Sequence, residues 1–214
     1  MHHPSVRWLQ RILDVCQAYA ESHGIIFNFN KTVCTTFKAK SAKSTVTPLL
    51  TLGGQYAKSV DQYNYQGIVL DTELSNDKDI QRQLRYQYCT ANKLRASFSR
   101  CSNPVKNVLL RSFCTPMYAS QLWWNFWKSC MQRLRVAHNF GSRALYNLPW
   151  RARISSHQVQ CNITPFEALL RKYTYLCLER CRKSNNIGLR ALMQSDCLYS
   201  SLFIEHYNRI LLCE

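Results

Sequence analysis

Gly24-Ile25-Ile26-Phe27-Asn28-Phe29-Asn30-Lys31-Thr32 is the stretch on which the fold turns. Ahead of it, between Ser5 and Ser22, apolar residues recur at Leu9, Ile12, Leu13, Cys16, Tyr19 and Ala20. That three-and-four spacing predicts a helix with this face buried. Gly24 follows the last periodic residue and ends the helix, because glycine takes a left-handed backbone conformation without penalty. Ile25, Ile26 and Phe27 then read as a short strand, and Lys31-Thr32 opens another, Val33 to Phe37.

Further along, Pro48 to Leu52 gives an apolar strand, Gly53-Gly54 a two-residue turn, and Gln55 onward a return strand through Val60. Tyr65-Gln66-Gly67-Ile68-Val69-Leu70-Asp71 reads as one more strand, with Ile68 and Leu70 alternating in phase. The helix, glycine, apolar strand, Asn and Lys-Thr together resemble the fourth palm motif of reverse transcriptases. The version is that of LINE-type (jockey-like, non-LTR) retrotransposons, and the matching residues are Gly24, Ile26, Asn28, Lys31 and Thr32. The Tyr65 to Asp71 run stands where that family carries its primer-grip strand, with Gln66 in place of an apolar residue. The resemblance covers roughly residues 5 to 150 well and the rest loosely.

Composition bounds the partners. The chain has 214 residues, enough for one to two domains, and its 28 Lys and Arg against 12 Asp and Glu give a net charge of +16. A pI near 9.6 points to a polyanion. A membrane is excluded as a span, because no apolar run approaches the ~20 residues a bilayer requires. Met1-His2-His3-Pro4 lacks a charged start followed by an apolar core, so an intracellular protein of cytoplasm or nucleus is expected, not a secreted one.

The rest of the chain reads as helices. Lys38 to Thr47 is a polar loop with Lys38, Lys40 and Lys43, read as a solvated connection in preference to a phosphate-contacting loop. Ser75 and Asn76 cap a long helix with Asp77 and Asp79 in its first turn. Ile80, Leu84, Tyr88, Ala91, Leu94 and Phe98 mark its inner face, and Arg82, Arg85, Lys93 and Arg95 lie mostly off it. A second helix starts at Asn103-Pro104 and carries Val105, Val108, Leu109, Phe113, Met117, Leu122 and Trp123, kinked or interrupted at Pro116. Trp123, Trp124, Phe126 and Trp127 read as a buried helix junction in preference to a base-stacking surface.

A third helix spans about Ser129 to Leu148, with Leu134, Ala137, Phe140 and Leu145 inward, Arg133, Arg135 and Arg143 elsewhere, and Gly141 a weak point. Thr164-Pro165-Phe166-Glu167 predicts a capping box opening a helix that ends near Ser184. Asn185, Asn186 and Gly188 break the chain before a last helix from about Ser195 with Leu198, Leu202, Tyr207 and Leu211.

Charge is concentrated in the middle. From Lys78 to Arg153 there are fourteen Lys or Arg against Asp79 alone. A merely solvated surface mixes signs, whereas a one-signed excess suits phosphate neutralisation with counterion release.

Eleven cysteines, scattered among apolar positions, read as reduced thiols. His157 with Cys161, and Cys177 with Cys181, have a spacing that could hold zinc. Without a Cys-x2-Cys knuckle, core thiols one turn apart are the preferred reading.

The resemblance implies an α+β fold: a short antiparallel β-sheet with one packed helix, ending the palm (residues 1–72), then a mostly α-helical basic thumb (73–153) and a helical carboxy-terminal extension (154–214). Ile26 and Ile68 should lie in neighbouring β-structure. It implies an RNA or RNA–DNA template–primer duplex as partner, held by Tyr65, Gly67, Arg82, Arg85, Lys93, Arg100 and Lys106. No small-molecule substrate is expected for this segment alone. Lys31 would be a latent proton donor to leaving pyrophosphate. The family's two-metal chemistry needs paired aspartates, and no Asp-Asp pair occurs here. The expectation is therefore a carboxy-terminal segment, inactive alone, with no metal or other cofactor of its own and Mg²⁺ belonging to the full-length enzyme. The alternatives are a non-catalytic basic helical RNA- or DNA-binding module, or an unrelated protein whose helices serve protein contacts.

Overall fold

The computed structural model describes residues 5–38, 48–115 and 117–212, and the chain divides into two compact units, Met1–Ser75 and Asn76–Glu214. Most of the expected Lys38 to Thr47 loop, the kink at Pro116, and Cys213 lie outside the described residues. Among the described residues, nine α-helices and six strands of two to four residues give an α+β chain.

In the first unit, α1 (Val6–Ser22) ends as the sequence predicts: Gly24 sits at φ +64 and the Ile25 N–H donates back to the Ala20 carbonyl at 2.8 Å. Its apolar face is not buried as expected. Only Ala20 is fully covered, Leu9, Leu13 and Cys16 are half-buried, and Tyr19 is 58 % exposed. The expected strand at 25–27 is absent too. Ile26 lies in coil, 91 % exposed, so it does not share β-structure with Ile68. A strand exists only where a neighbour completes its ladder, and the hydrogen bonds around this segment are local. Asn28 organises them, its carbonyl accepting from the N–H groups of Lys31 and Thr32 at 3.0 Å each.

The β-structure comes in three pairs. β1 (Val33–Cys34) runs parallel to β4 (Lys58–Ser59), so the second expected strand stops at Cys34. β2 (Thr51–Leu52) and β3 (Gln55–Tyr56) form the predicted hairpin, with Gly53 and Gly54 at φ +59 and +74, as a primed turn requires. A side chain at Gly53 would also come within 2.8 Å of the Phe29 ring. Gln10 of α1 completes β2 like a missing strand: its Nε2 donates to the Thr51 carbonyl and its Oε1 accepts from the Thr51 N–H, both at 2.9 Å.

β5 (Gln62–Tyr65) and β6 (Ile68–Asp71) correct the grip-strand reading. Gln66 and Gly67 both take positive φ, 49° and 80°, and form the turn of a second hairpin in which Tyr65 faces Ile68. Gly67 supplies turn chemistry that the alternation of Ile68 and Leu70 concealed.

The second unit is built on α2 (Asp77–Phe98) packed against α4 (Lys128–Tyr146). Ile80, Leu84, Ala91 and Leu94 are buried as predicted, but Tyr88 and Phe98 are exposed, and Gln83 and Gln87 take inner positions. α3 (Asn103–Leu109) passes into a π-helical turn, Leu110–Cys114, closed by the Thr115 N–H on the Leu110 carbonyl. The extra residue in that turn shifts the register. Val105, Val108, Phe113 and Leu122 face out, while Leu110, Cys114, Met117 and Trp123 are buried. Gln87 Nε2 donates to the Cys114 carbonyl at 2.8 Å, satisfying the end of the turn.

Gly141 does not weaken α4. It is buried, and a Cβ there would make only ordinary contacts with Cys114 at 3.6 Å and Ala91 at 4.0 Å, so the packing around it would also accept an alanine.

α5 (Ile154–Gln160), α6 (Phe166–Arg182), α7 (Ile187–Met193), α8 (Asp196–Tyr199) and α9 (Leu202–Leu212) complete the unit. The capping box does not form, because Pro165, not Thr164, is the N-cap of α6, and Glu167 pairs instead with Arg135 at 2.7 Å. Asn186 caps α7, its side chain accepting from the Leu189 N–H. The buried Tyr207 of α9 donates its hydroxyl to the Gln121 carbonyl at 2.6 Å.

Candidate nucleic-acid interface

The electrostatics of the second unit begin with where its few acids go. At the start of α2, Asn76 Oδ1 accepts from the backbone N–H groups of Trp124 and Asn125, and Asp77 Oδ1 from that of Trp127, all at 2.9 Å. Asp79, wholly buried, accepts from Trp123 Nε1 and Arg82 Nε, both at 2.8 Å. These side chains do not merely complement the helix dipole; they clasp the 123–127 segment. Trp123 is buried by the clasp while Trp127 stays 74 % exposed. Nothing in the helical periodicity announces this long-range pairing, which makes Asp79 the residue the sequence reading missed.

The cations go the other way. Between Lys78 and Arg153, residues 78, 85, 93, 95, 100, 111, 128, 133, 135, 151 and 153 are exposed, while the stretch's one acid is internal. Two of the expected contact residues are less displayed than the sequence suggests. Arg82 is only 32 % exposed in its side chain and is held by Asp79. Lys106 is buried, its ammonium 5.5 Å from the centre of the Tyr146 ring, a consequence of the outward turn of Val105 and Val108 on α3. Arg85 and Lys93 remain displayed on α2, and Arg100 just beyond its end. Exposed Arg111, Lys128, Arg133, Arg151 and Arg153 extend the basic surface; their signal was already present in the charge tally. A shallow depression of about 180 Å³ between α2 and α4 is lined by Leu84, Tyr88, Gln132, Arg133 and Val136.

In the first unit, Tyr65 is exposed and ends β5, Gly67 is the second turn residue, and Lys31 is exposed after the Asn28 turn. A cavity of about 310 Å³ between α1 and the β2–β3 hairpin is lined by Asp14, Gln17, Glu21 and the glycine turn, and contains none of them.

Three acidic side chains of the first unit accept hydrogen bonds from groups four residues away. Asp14 accepts from Gln10, Glu21 from Gln17, and Asp71 from the Ser75 N–H. Among the described residues no three His, Cys, Asp or Glu side chains gather to hold a metal. His157 Nδ1 and Cys161 Sγ are 3.7 Å apart without further ligands, and Cys177 and Cys181 are half-buried on α6. Burial pushes the Cys114 thiol up to about 11, so it stays protonated and unreactive. Burial likewise holds His138 below the ordinary histidine range. No described helix is long and apolar enough to cross a membrane.

Comparison with known proteins gives two likenesses. The chain is 26 % identical over 194 residues to a probable RNA-directed DNA polymerase from transposon BS of Drosophila melanogaster. It is 23 % identical over 198 residues to the RNA-directed DNA polymerase from the mobile element jockey of the same organism. Each covers 88 % of this chain and 21 % of the relative, so the chain spans about a fifth of the length of these proteins. No family model and no solved structure matches it. These likenesses, together with the Gly24 to Thr32 motif, support the chain as a segment of a LINE-type, jockey-like retrotransposon reverse transcriptase.

Proposed function

We propose that the chain is the carboxy-terminal part of a retrotransposon RNA-directed DNA polymerase, and that its helical unit holds template–primer nucleic acid while the metal-binding aspartates are supplied elsewhere in the enzyme. In this reading residues 1–72 end the palm, 73–153 are the thumb and 154–214 extend it. The observation that carries the proposal is the basic surface: eleven exposed cations, of which Arg135 is paired with Glu167, with their stretch's single acid turned inside. Each cation that neutralises a phosphate releases a counterion, so binding is driven by charge and indifferent to sequence. Lys31 is then a proton donor only in the company of the metal-binding aspartates supplied elsewhere in the enzyme. A non-catalytic module that binds RNA or DNA is the second reading, favoured by the same basic surface, which holds a phosphate backbone without any reaction.

The test is binding of a short RNA–DNA hybrid across a salt series. Affinity should fall steeply, by a log–log slope near −0.9 per phosphate contact for a B-form duplex and similarly for a hybrid. Arg85→Glu with Lys93→Glu should weaken binding about tenfold or more, since each replaces a contact with repulsion. An affinity flat in salt would remove the phosphate argument. Primer extension by this chain alone with Mg²⁺ would overturn the claim that its aspartates are supplied elsewhere.

A further inference from the structure

The turn joining α4 to α5 is held at both ends and lifts an aromatic ring into solvent. Asn147 ends α4 in the left-handed conformation, φ 52°, and the Leu148 N–H donates to the Arg143 carbonyl at 3.0 Å. The Ala152 N–H donates to the Pro149 carbonyl at 3.0 Å, which makes Trp150 and Arg151 the two central residues of a tight turn. Arg143, from the last turn of α4, donates its Nη2 to the Ala152 carbonyl at 3.2 Å and fixes the far side. Trp150 is 77 % exposed, and the Arg151 guanidinium lies 4.8 Å from its ring centre.

We propose that this turn is a stacking site for an unpaired base of single-stranded RNA or DNA, with Arg151 and Arg153 taking the flanking phosphates; the proposal rests on the nucleic-acid reading above. The guanidinium occupies one face of the indole and leaves the other open to a planar ring. Its positive charge also repels a cationic ligand from the ring. Stacking on an aromatic face accepts any base, and cations beside it track the backbone. Both arginines are exposed, and no acid occurs in the sequence between Asp79 and Glu167. Trp127, similarly exposed, is the counterexample: the Asp77 carboxylate accepts its backbone N–H, setting beside it a negative charge that repels a phosphate.

The test uses the full chain with two fluorescent RNA–DNA hybrids, one blunt and one with a single-stranded overhang, read by anisotropy. Wild-type protein should prefer the overhang. Trp150→Ala should lose about tenfold on the overhang substrate and less than about twofold on the blunt one, whereas Trp150→Tyr retains most of the preference. Equal affinities of Trp150→Ala and wild type on both substrates, with salt-dependent binding intact, would overturn this inference alone. A changed oligomeric state with unchanged nucleic-acid binding would assign the ring to a protein contact and overturn it as well. Failure of wild type to bind either hybrid at low salt would sink the nucleic-acid reading itself, and this site with it.

Discussion

The two units carry equally clear local signals and very different interiors. Among the described residues nineteen apolar side chains are buried in Asn76–Glu214, sixteen of them in three clusters, against only Ala20, Leu50 and Leu52 in Met1–Ser75. Yet the first unit has an amphipathic helix stopped by a glycine and a hairpin turned by two more. Backbone punctuation acts over a few residues and needs no core, whereas an apolar face is buried only if another element offers a matching one. In the second unit α2 and α4 offer such faces to each other. In the first, α1 meets a two-residue strand and borrows Gln10 to complete it.

The largest effects should fall where that core is densest. Leu134, with no exposed surface, sits among Ile80, Leu84, Met117, Trp123 and Phe166, so Leu134→Ala should cost roughly 2–5 kcal/mol in urea unfolding. Leu9→Ala on the half-buried face of α1 should cost less than about half of that. Equal losses at the two sites would mean that α1 is as well packed in solution as α4.

Next comes the clasp at Asp79. Asp79→Ala strips the acceptor from Trp123 Nε1 and leaves Arg82 without its carboxylate. A loss of about 3 kcal/mol is expected, with a loss of Trp123 near-ultraviolet dichroism. Asp79→Asn keeps one oxygen for the indole and should lose less. An Asp79→Ala protein as stable as wild type would show that the acid is dispensable to the junction.

A smaller effect follows from His138. It lies against the Phe166 ring and near the Cys114 and Thr164 carbonyls, with Glu167 close enough to favour its charged form slightly, but burial dominates and lowers its pKa. The unfolded chain, titrating near 6.5, binds the proton first, so folding stability falls as pH drops from about 6.5 through the lower folded value. His157 and His206, also lowered by burial, act in the same direction. The acid limb should steepen by at most about 1.4 kcal/mol per pH unit for each proton. His138→Gln should flatten it, and an unchanged limb would show that His138 is not the group responsible.

How much was legible depended on the range over which each signal acts. The α+β class, the extents of α2 and α4, and the Gly53-Gly54 turn rest on local periodicity or turn chemistry and could be read directly. The outward face of α3 could not, because a π turn at Leu110–Cys114 interrupts the 3.6-residue period just beyond it, and on α3 itself Lys106 is buried while Val108 is exposed. The excess of cations in the candidate interface was visible as composition. Which of them reach the surface was not, since Arg82 is held by an acid that the sequence placed on a helix end for its dipole. Trp150 escaped notice because a solvent-held aromatic in a four-residue turn has no period.

The smallest predicted effect decides most about the first unit. Ile26 is the apolar centre of the motif that made the family recognisable, and on sequence grounds it belongs in a strand against a neighbour of Ile68. In the structure it is 91 % exposed, and the hydrogen bonds beside it close only on the end of α1 and the Asn28 turn. A side chain that leaves no water on folding has nothing to lose, so Ile26→Ser should change stability by no more than about 0.5 kcal/mol. A loss above about 2 kcal/mol would require the isoleucine to be buried in solution. The first unit would then possess a sheet pairing that its three separate strand pairs do not include, and its contrast with the second would narrow to a difference of degree.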